Sequence, residues 1–310
     1  MNHLTLRQLR YFDAVAHHGH FGRAAEACAV SQPALSMQIK ELEDMLGYAL
    51  FERNTRQIAL TGLGELFAER TQTILSAVDE LESLVQTTQQ QPAGRLRLGV
   101  IPTVGPYFLP SVFQNLTQAY PNLDIHIREA MTLHLIHDLH DKRLDVAIVA
   151  LPVSEPSLHE FPLFSENFLL ARPLSQAGMP VPDPQALRHM QLLLLQEGHC
   201  FREQALAFCG FQTRLMPASN ILEAGSLSTL VQMVSVGMGV TFLPEMSIPM
   251  ESRNTAIDIV AFSAPPPSRT IGMVWRKAHP LRQQFTQLAE TILNTLPHLN
   301  KGNEGHHKTG

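Results

Sequence analysis

The chain has 310 residues, 45% of them hydrophobic and 16% charged, with a formal net charge of −5. That composition excludes a disordered or collagen-like chain and leaves room for two cores. No stretch approaches the eighteen apolar residues of a membrane span, and MNHLTLRQLR has no apolar run after its charges, so a soluble cytoplasmic protein without membrane contact is expected.

The acidic balance argues against indiscriminate coating of nucleic acid. The first 65 residues hold six Lys/Arg against seven Asp/Glu, so a DNA-binding reading must rest on motif. Three cysteines, no CxxC and no HExxH give neither a disulfide scaffold nor a zinc site. The adjacent histidines of the tail fit a solvated terminus better than a ligand pair, so no metal and no cofactor is expected.

In chain order, Leu6, Leu9, Phe12 and Ala16 mark a first helix over 6–17. Phe21, Ala24, Ala25 and Cys28 mark a second, short one whose small residues admit a close neighbour, and Cys28 on that stripe reads as structural. Ser31 then stands as N-cap, with Pro33 inside the first turn of a third helix that buries Leu35, Ile39, Leu42 and Leu46 and stops at Gly47. Two short helices about a tight turn make a helix-turn-helix. The face opposite the leucines carries Gln32, Pro33, Ser36, Met37 and Lys40, the residue types that reach base edges and phosphates from a recognition helix. Arg53 and Arg56 flank an Asn-Thr turn and read as a β-wing offering two guanidinium groups to DNA.

From Gly62 to Gln90 there is no proline, and Phe67, Ile74, Val78, Leu81 and Val85 recur at helical spacing. A helix of about 40 Å with one narrow apolar stripe predicts a dimer seam. After QQQPAG a strand–helix–strand rhythm begins, with near-continuous apolar strands around 95–101, 123–130 and 144–151, which predicts a parallel α/β sheet. Pro-rich breaks at 152–162, 173–184 and 264–267 divide this region into two α/β lobes joined by crossover strands. The boundaries so predicted are 1–61, a linker helix 62–91, a sensor 92–300 and a disordered tail 301–310.

The run from Phe21 to Gly64 resembles the winged helix-turn-helix of the LysR-type transcriptional regulators. The likeness rests on A-A-x-x-x-x-V-S-Q-P-x-L-S-x-Q-I-x-x-L-E from Ala24 to Glu43, then L-F-x-R and L-T-x-x-G. It implies an N-terminal all-α winged helix-turn-helix, a linker helix and a two-lobed α/β sensor of the periplasmic-binding-protein kind. It also implies double-stranded promoter DNA and RNA polymerase as partners, and a homodimer or homotetramer. GVIPTVGPYFLP, EGHCFREQALAFC and SRTIGMVWR further resemble the hydrogen-peroxide-sensing members of that family. That likeness assigns Cys200 as peroxidatic cysteine, Cys209 as its resolving partner in a reversible disulfide, and Thr103, Thr132, His199 and Arg269 as the peroxide pocket.

The residues support this chemistry by themselves. EGHC follows an apolar strand and opens a helical segment, so Cys200 falls near a helix N-terminus, where free N–H groups and neighbouring His199 or Arg202 favour a thiolate. In one helix, Cys200 and Cys209 are about 13.5 Å apart along the axis, whereas a disulfide needs Cα atoms within roughly 7 Å. A bond between them therefore demands that the helix unwind. Thr103, ending the first sheet strand, lies where open α/β sheets bind ligands, though a helix cap is the plainer role. Two rival readings stand at this point: a LysR-type regulator that binds a metabolite between its lobes, and a thiol peroxidase, for which the DNA-binding motif has no use.

Overall fold

A computed structural model describes residues 4–52, 58–86, 91–210 and 221–295, without the side chains of Glu80 and 82–86. The chain divides into two compact units, one formed by residues up to 86 together with 141–143, the other by the remainder from 87 onward. Among the described residues no helix is long and apolar enough to cross a membrane.

The first unit opens with α1 (Leu6–His18), capped by Thr5 and Gln8 reciprocally and closed by Gly19 at φ 58°. It buries Leu9, Tyr11, Phe12 and Val15, whereas Leu6, assigned to the core stripe from the sequence, is exposed. The true stripe starts one turn later because the capping box occupies the first turn. Helix α2 (Phe21–Ala27) lays Ala24 and Ala25 against the core, and α3 (Gln32–Leu46) follows the Ser31 cap with Pro33 in its first turn. Phe12, Leu35, Ile39, Leu42 and Leu50 fill the centre.

Strands β1 (Phe51–Glu52) and β2 (Ala59–Leu60) pair antiparallel as a short wing. The buried Glu43 of α3 accepts the amides of Leu50 (2.8 Å) and Phe51 (3.2 Å), fixing where that wing starts. Thr61 donates to the carbonyl of Ala49, and any Cβ on Gly64 would lie 2.1 Å from the Leu50 oxygen. The L-T-x-x-G motif is thus a joint: a hydroxyl ties wing to helix, and a glycine lets α4 (Gly62–Gln86) start against backbone. Phe67 of α4 packs edge-on to Phe12, while Leu66, Ile74 and Leu81 stay exposed. Residues 87–90 of the predicted helix lie outside the described residues, as does the side chain of Val85.

In the second unit, β3 (Gly94–Val100), α5 (Gly105–Ala119), β4 (Leu123–Glu129), α6 (Thr132–His140) and β5 (Val146–Leu151) build the first lobe, with β3 parallel to both β4 and β5. The sixteen-residue β6 (Leu158–Pro173) crosses into the second lobe. There α7 (Pro184–Leu187), β7 (Leu192–Leu195), α8 (Cys200–Phe208), β8 (Ile221–Ala224), α9 (Leu227–Ser235), β9 (Thr241–Pro244), α10 (Ile248–Glu251) and β10 (Ile257–Ala261) follow. Strand β11 (Ser268–Arg276) returns and α11 (Arg282–Asn294) closes the first lobe. Two separate apolar cores result, one around Val100, Phe108, Ile148 and Trp275, the other around Phe168, Leu193, Phe201 and Phe242.

The sheet corrects the prediction of parallel strands throughout. Its order is β10-β6-β11-β5-β3-β4, and β11 runs antiparallel to both β5 and β6. An apolar strand reads alike in either direction, so direction was not legible. The Pro-rich 152–162 also proves to be partly strand. Pro162 sits at a register shift opposite Gly272, where the ladder tolerates a missing N–H and a Cβ on Gly272 would strike Leu151 and the Phe161 carbonyl.

Candidate functional site

Helix α3 exposes Gln32, Pro33, Ser36, Met37 and Lys40 together while Leu35 and Ile39 between them are buried. The groove-facing set predicted from the sequence is therefore one continuous solvent face. Arg53 and Arg56 lie outside the described residues. Cys28 caps the C-terminus of α2 half-buried against the core, and burial, then Asp13, raises its thiol pKa.

The cysteines of the sensor occupy the two ends of α8, and all three cysteines of the chain are free thiols. Cys200 is the first helical residue, after His199 as N-cap, and stays partly exposed beside the first lobe's core. Cys209 is the C-cap, fully buried in the second lobe's core. Burial pushes the Cys209 thiol up to about 11, against the pull of the Arg188 cation. His199 is buried too, which lowers its pKa and favours neutral imidazole. Its side chain makes no cap hydrogen bond to α8, while its carbonyl accepts the Arg202 amide at 3.0 Å.

Beside Phe201, the residue after Cys200, lies a buried ion pair. Arg269 of β11 donates Nε to Glu166 Oε1 of β6 at 2.8 Å, and both side chains have no solvent exposure. Its Nη1 donates to Thr103 Oγ1 (2.8 Å) and its Nη2 to the Thr103 carbonyl (3.0 Å). The other Glu166 oxygen accepts the amide of Met246. Burial pushes the Glu166 carboxyl up, and Arg269 beside it opposes that shift. The guanidinium also faces the Phe201 ring at 5.2 Å, so the residue after Cys200 rests on the cation.

Thr132 opens α6, and its buried hydroxyl has no hydrogen-bond partner among the described residues. The preceding Met131 lies over Gly198, whose φ of +93° and close Met131 sulfur admit only glycine. That contact sets the start of α6 against the loop carrying His199. Thr103 and Arg269 are bonded directly, and Thr132 and His199 each follow one residue of the Met131–Gly198 contact.

One expectation changes. Arg202 turns away from the sulfur, donating to the Leu195 carbonyl and to Glu223 of β8, each at 2.8 Å. Two positions apart on one helix, Arg202 and Cys200 do not face each other. Glu166 was missed, although a signal existed: it takes an inward position between Phe164 and Phe168, and a carboxylate there needs a cation.

Comparison with known proteins follows this division. Residues 6–65 match the bacterial regulatory helix-turn-helix protein family, lysR family, and residues 89–297 match the LysR substrate binding domain. The DNA-binding transcriptional dual regulator OxyR of Escherichia coli K12 is 40% identical over 294 residues, covering 93% of this chain and 95% of that one. A full-length OxyR from Pseudomonas aeruginosa, carrying a cysteine-to-aspartate substitution, is 37% identical with a TM-score of 0.69, over 94% of this chain and 95% of its own. A cysteine-to-serine mutant of Corynebacterium glutamicum OxyR with hydrogen peroxide bound is 34% identical with a TM-score of 0.65, over 95% and 93%.

Proposed function

The chain belongs to the LysR-type family of transcriptional regulators, within its OxyR group, and on that premise we propose that it binds promoter DNA through α3 and senses hydrogen peroxide through Cys200 and Cys209. The observation that carries the redox part is the pair of free thiols at opposite ends of one nine-residue helix, one partly exposed and one fully buried. Exposure lets Cys200 meet the oxidant; burial raises the Cys209 thiol and leaves little thiolate there at neutral pH.

The Cys200 thiolate attacks one peroxide oxygen and becomes a sulfenic acid, while the other oxygen leaves with a proton as water. Cys209 then attacks that sulfur; the S–S bond forms, the S–O bond breaks, and the hydroxyl leaves as a second water. A dithiol returns two electrons to reset the pair. Arg269 and the Thr103 hydroxyl it holds serve the departing oxygen, the Thr132 hydroxyl, unpartnered among the described residues, binds peroxide, and neutral His199 accepts or returns the proton. Gln32, Pro33, Ser36 and Met37 read bases; Lys40, Arg53 and Arg56 hold phosphate.

The divisions 1–61 for DNA, 62–91 for the linker and 92–300 for sensing fit this reading. The exposed Leu66, Ile74 and Leu81 of α4 suit a seam between copies in a dimer or tetramer, which recruits RNA polymerase in the cytoplasm. The protein is a sensor that consumes about one equivalent of peroxide per chain, with no turnover.

Mass spectrometry with thiol trapping tests this. One equivalent of peroxide should join Cys200 to Cys209 and change the DNA footprint. Cys200→Ser should not react, and Cys209→Ser should stop at sulfenic acid or overoxidise. Two free thiols after excess peroxide, with an unchanged footprint, would leave the metabolite-binding regulator; sustained consumption with a reductant would make the protein a peroxidase.

A further inference from the structure

Helix α8 is held from outside at both ends. At its start Arg202 ties the first turn to Leu195 and Glu223. At its end Arg188, the residue after α7, donates Nε to the Cys209 carbonyl at 2.6 Å and Nη2 to the Gly210 carbonyl at 3.1 Å. Such terminal carbonyls lack donors within the helix, and a cation suits the negative end of the helix dipole. Gly210 adopts φ +66°, and a Cβ there would lie 2.1 Å from Arg188 Nη2, so glycine opens the space the guanidinium fills. Arg188 itself is well anchored. Asp183 caps α7 by accepting the Ala186 amide, and Leu187 is fully buried in the second lobe's core.

We propose that Arg188 is a positioning residue for the redox switch, latching the last turn of α8 shut in the dithiol form and thereby setting how readily Cys200 and Cys209 join. The inference rests on the peroxide-sensing reading. Closing roughly 13.5 Å to less than about 7 Å requires one end of α8 to unwind. The first turn is tied to the sheet edge by Arg202, so the last turn gives way. Cys209 cannot leave its core while its carbonyl is held by Arg188. The latch bonds exist in the dithiol form and are lost on closure, so they bias the couple toward the thiols. No change at Cys200 itself is involved.

Arg188→Met keeps the apolar stem and removes the donors; Arg188→Lys keeps a cation that reaches one carbonyl. The full-length chain is equilibrated with glutathione buffers, and in parallel the rate of sulfenic acid formation is measured in a Cys209→Ser background. Arg188→Met should shift the equilibrium about tenfold toward the disulfide, a midpoint potential about 30 mV more negative, with Arg188→Lys in between and the sulfenic acid rate unchanged. Wild-type potentials in both variants would overturn the latch and leave the sensor standing. So would an equal change in the sulfenic acid rate, because it places Arg188 at the first step. If wild type forms no Cys200–Cys209 bond, the sensor reading fails first. Should Arg188→Met not fold, the comparison of Arg188→Lys with wild type decides alone.

Discussion

Helices α3 and α8, to which the two proposed activities are assigned, are built in opposite ways. Helix α3 contains its own specification: Ser31 caps it, Pro33 starts it, Gly47 ends it, and its buried and exposed faces alternate at helical spacing. Helix α8 has no side-chain cap and ends in two different cores, held by Arg202 to Glu223, by Arg188 to Cys209, and by Phe201 on Arg269. A helix that reads DNA gains from being locally determined. A helix that must unwind gains from ties that can be released one by one, and the contrast can be tested from either side.

The largest effect should come from the remote ties. Glu166→Ala leaves Arg269 buried with its charge uncompensated, since both side chains have zero exposure. Breaking such a pair by removing one partner costs about 3–5 kcal/mol, and unfolding in urea should show a loss of that size. A wild-type midpoint would mean that Arg269 is satisfied without Glu166, and that the cation under Phe201 is less dependent on distant residues than the contrast requires.

The same contrast explains what the sequence could and could not reveal. The caps, faces and stop of α3 are all within seventeen residues, so their physics is written contiguously. The L-T-x-x-G joint was visible as a motif, though not its reason, because the Leu50 carbonyl that excludes a Cβ at Gly64 lies outside the pattern. Cys200 at a helix start was legible from the apolar strand before it. Its surroundings were not. Glu166, Arg188 and Glu223 reach the site from β6, from the end of α7 and from β8, and no spacing rule links them to Cys200. Arg202 was misread as a thiolate partner because proximity in sequence was taken for facing. Strand direction was hidden too, since β11 is as apolar as its parallel neighbours would be.

A second, smaller effect separates the ends of α8 by pH. Burial holds the Cys209 thiol up at about 11. Below that value its thiolate fraction rises tenfold per pH unit, a change of about 1.4 kcal/mol per unit. Disulfide closure, followed by trapping sulfenic acid after a single peroxide pulse, should therefore accelerate by about a hundredfold between pH 7 and pH 9. A profile that bends over near 8.5, the free-cysteine value, would show that Cys209 leaves its core before it ionises, and burial would then not separate the two thiols during closure.

The smallest effects belong to α3, where side chains point into solvent and changing them leaves the fold alone. Gln32 stands at the first position of the helix and Lys40 two turns on, both exposed on the face opposite Leu35 and Ile39. Gln32→Ala removes a group suited to a bidentate contact with adenine, so it should cost about 1–3 kcal/mol at one base step and nothing elsewhere. Lys40→Ala removes a phosphate contact, so affinity should fall on every sequence and the slope of log K against log salt should flatten by about 0.9. Because α3 is specified locally, both penalties per half-site should be the same before and after peroxide treatment, even as the footprint changes. Titrations of each variant on one operator, at several salt concentrations and in both redox states, give the comparison. A Gln32→Ala penalty that appears in only one redox state would mean that oxidation reaches into the reading helix itself, and the division between a fixed reader and a releasable switch would have to be given up.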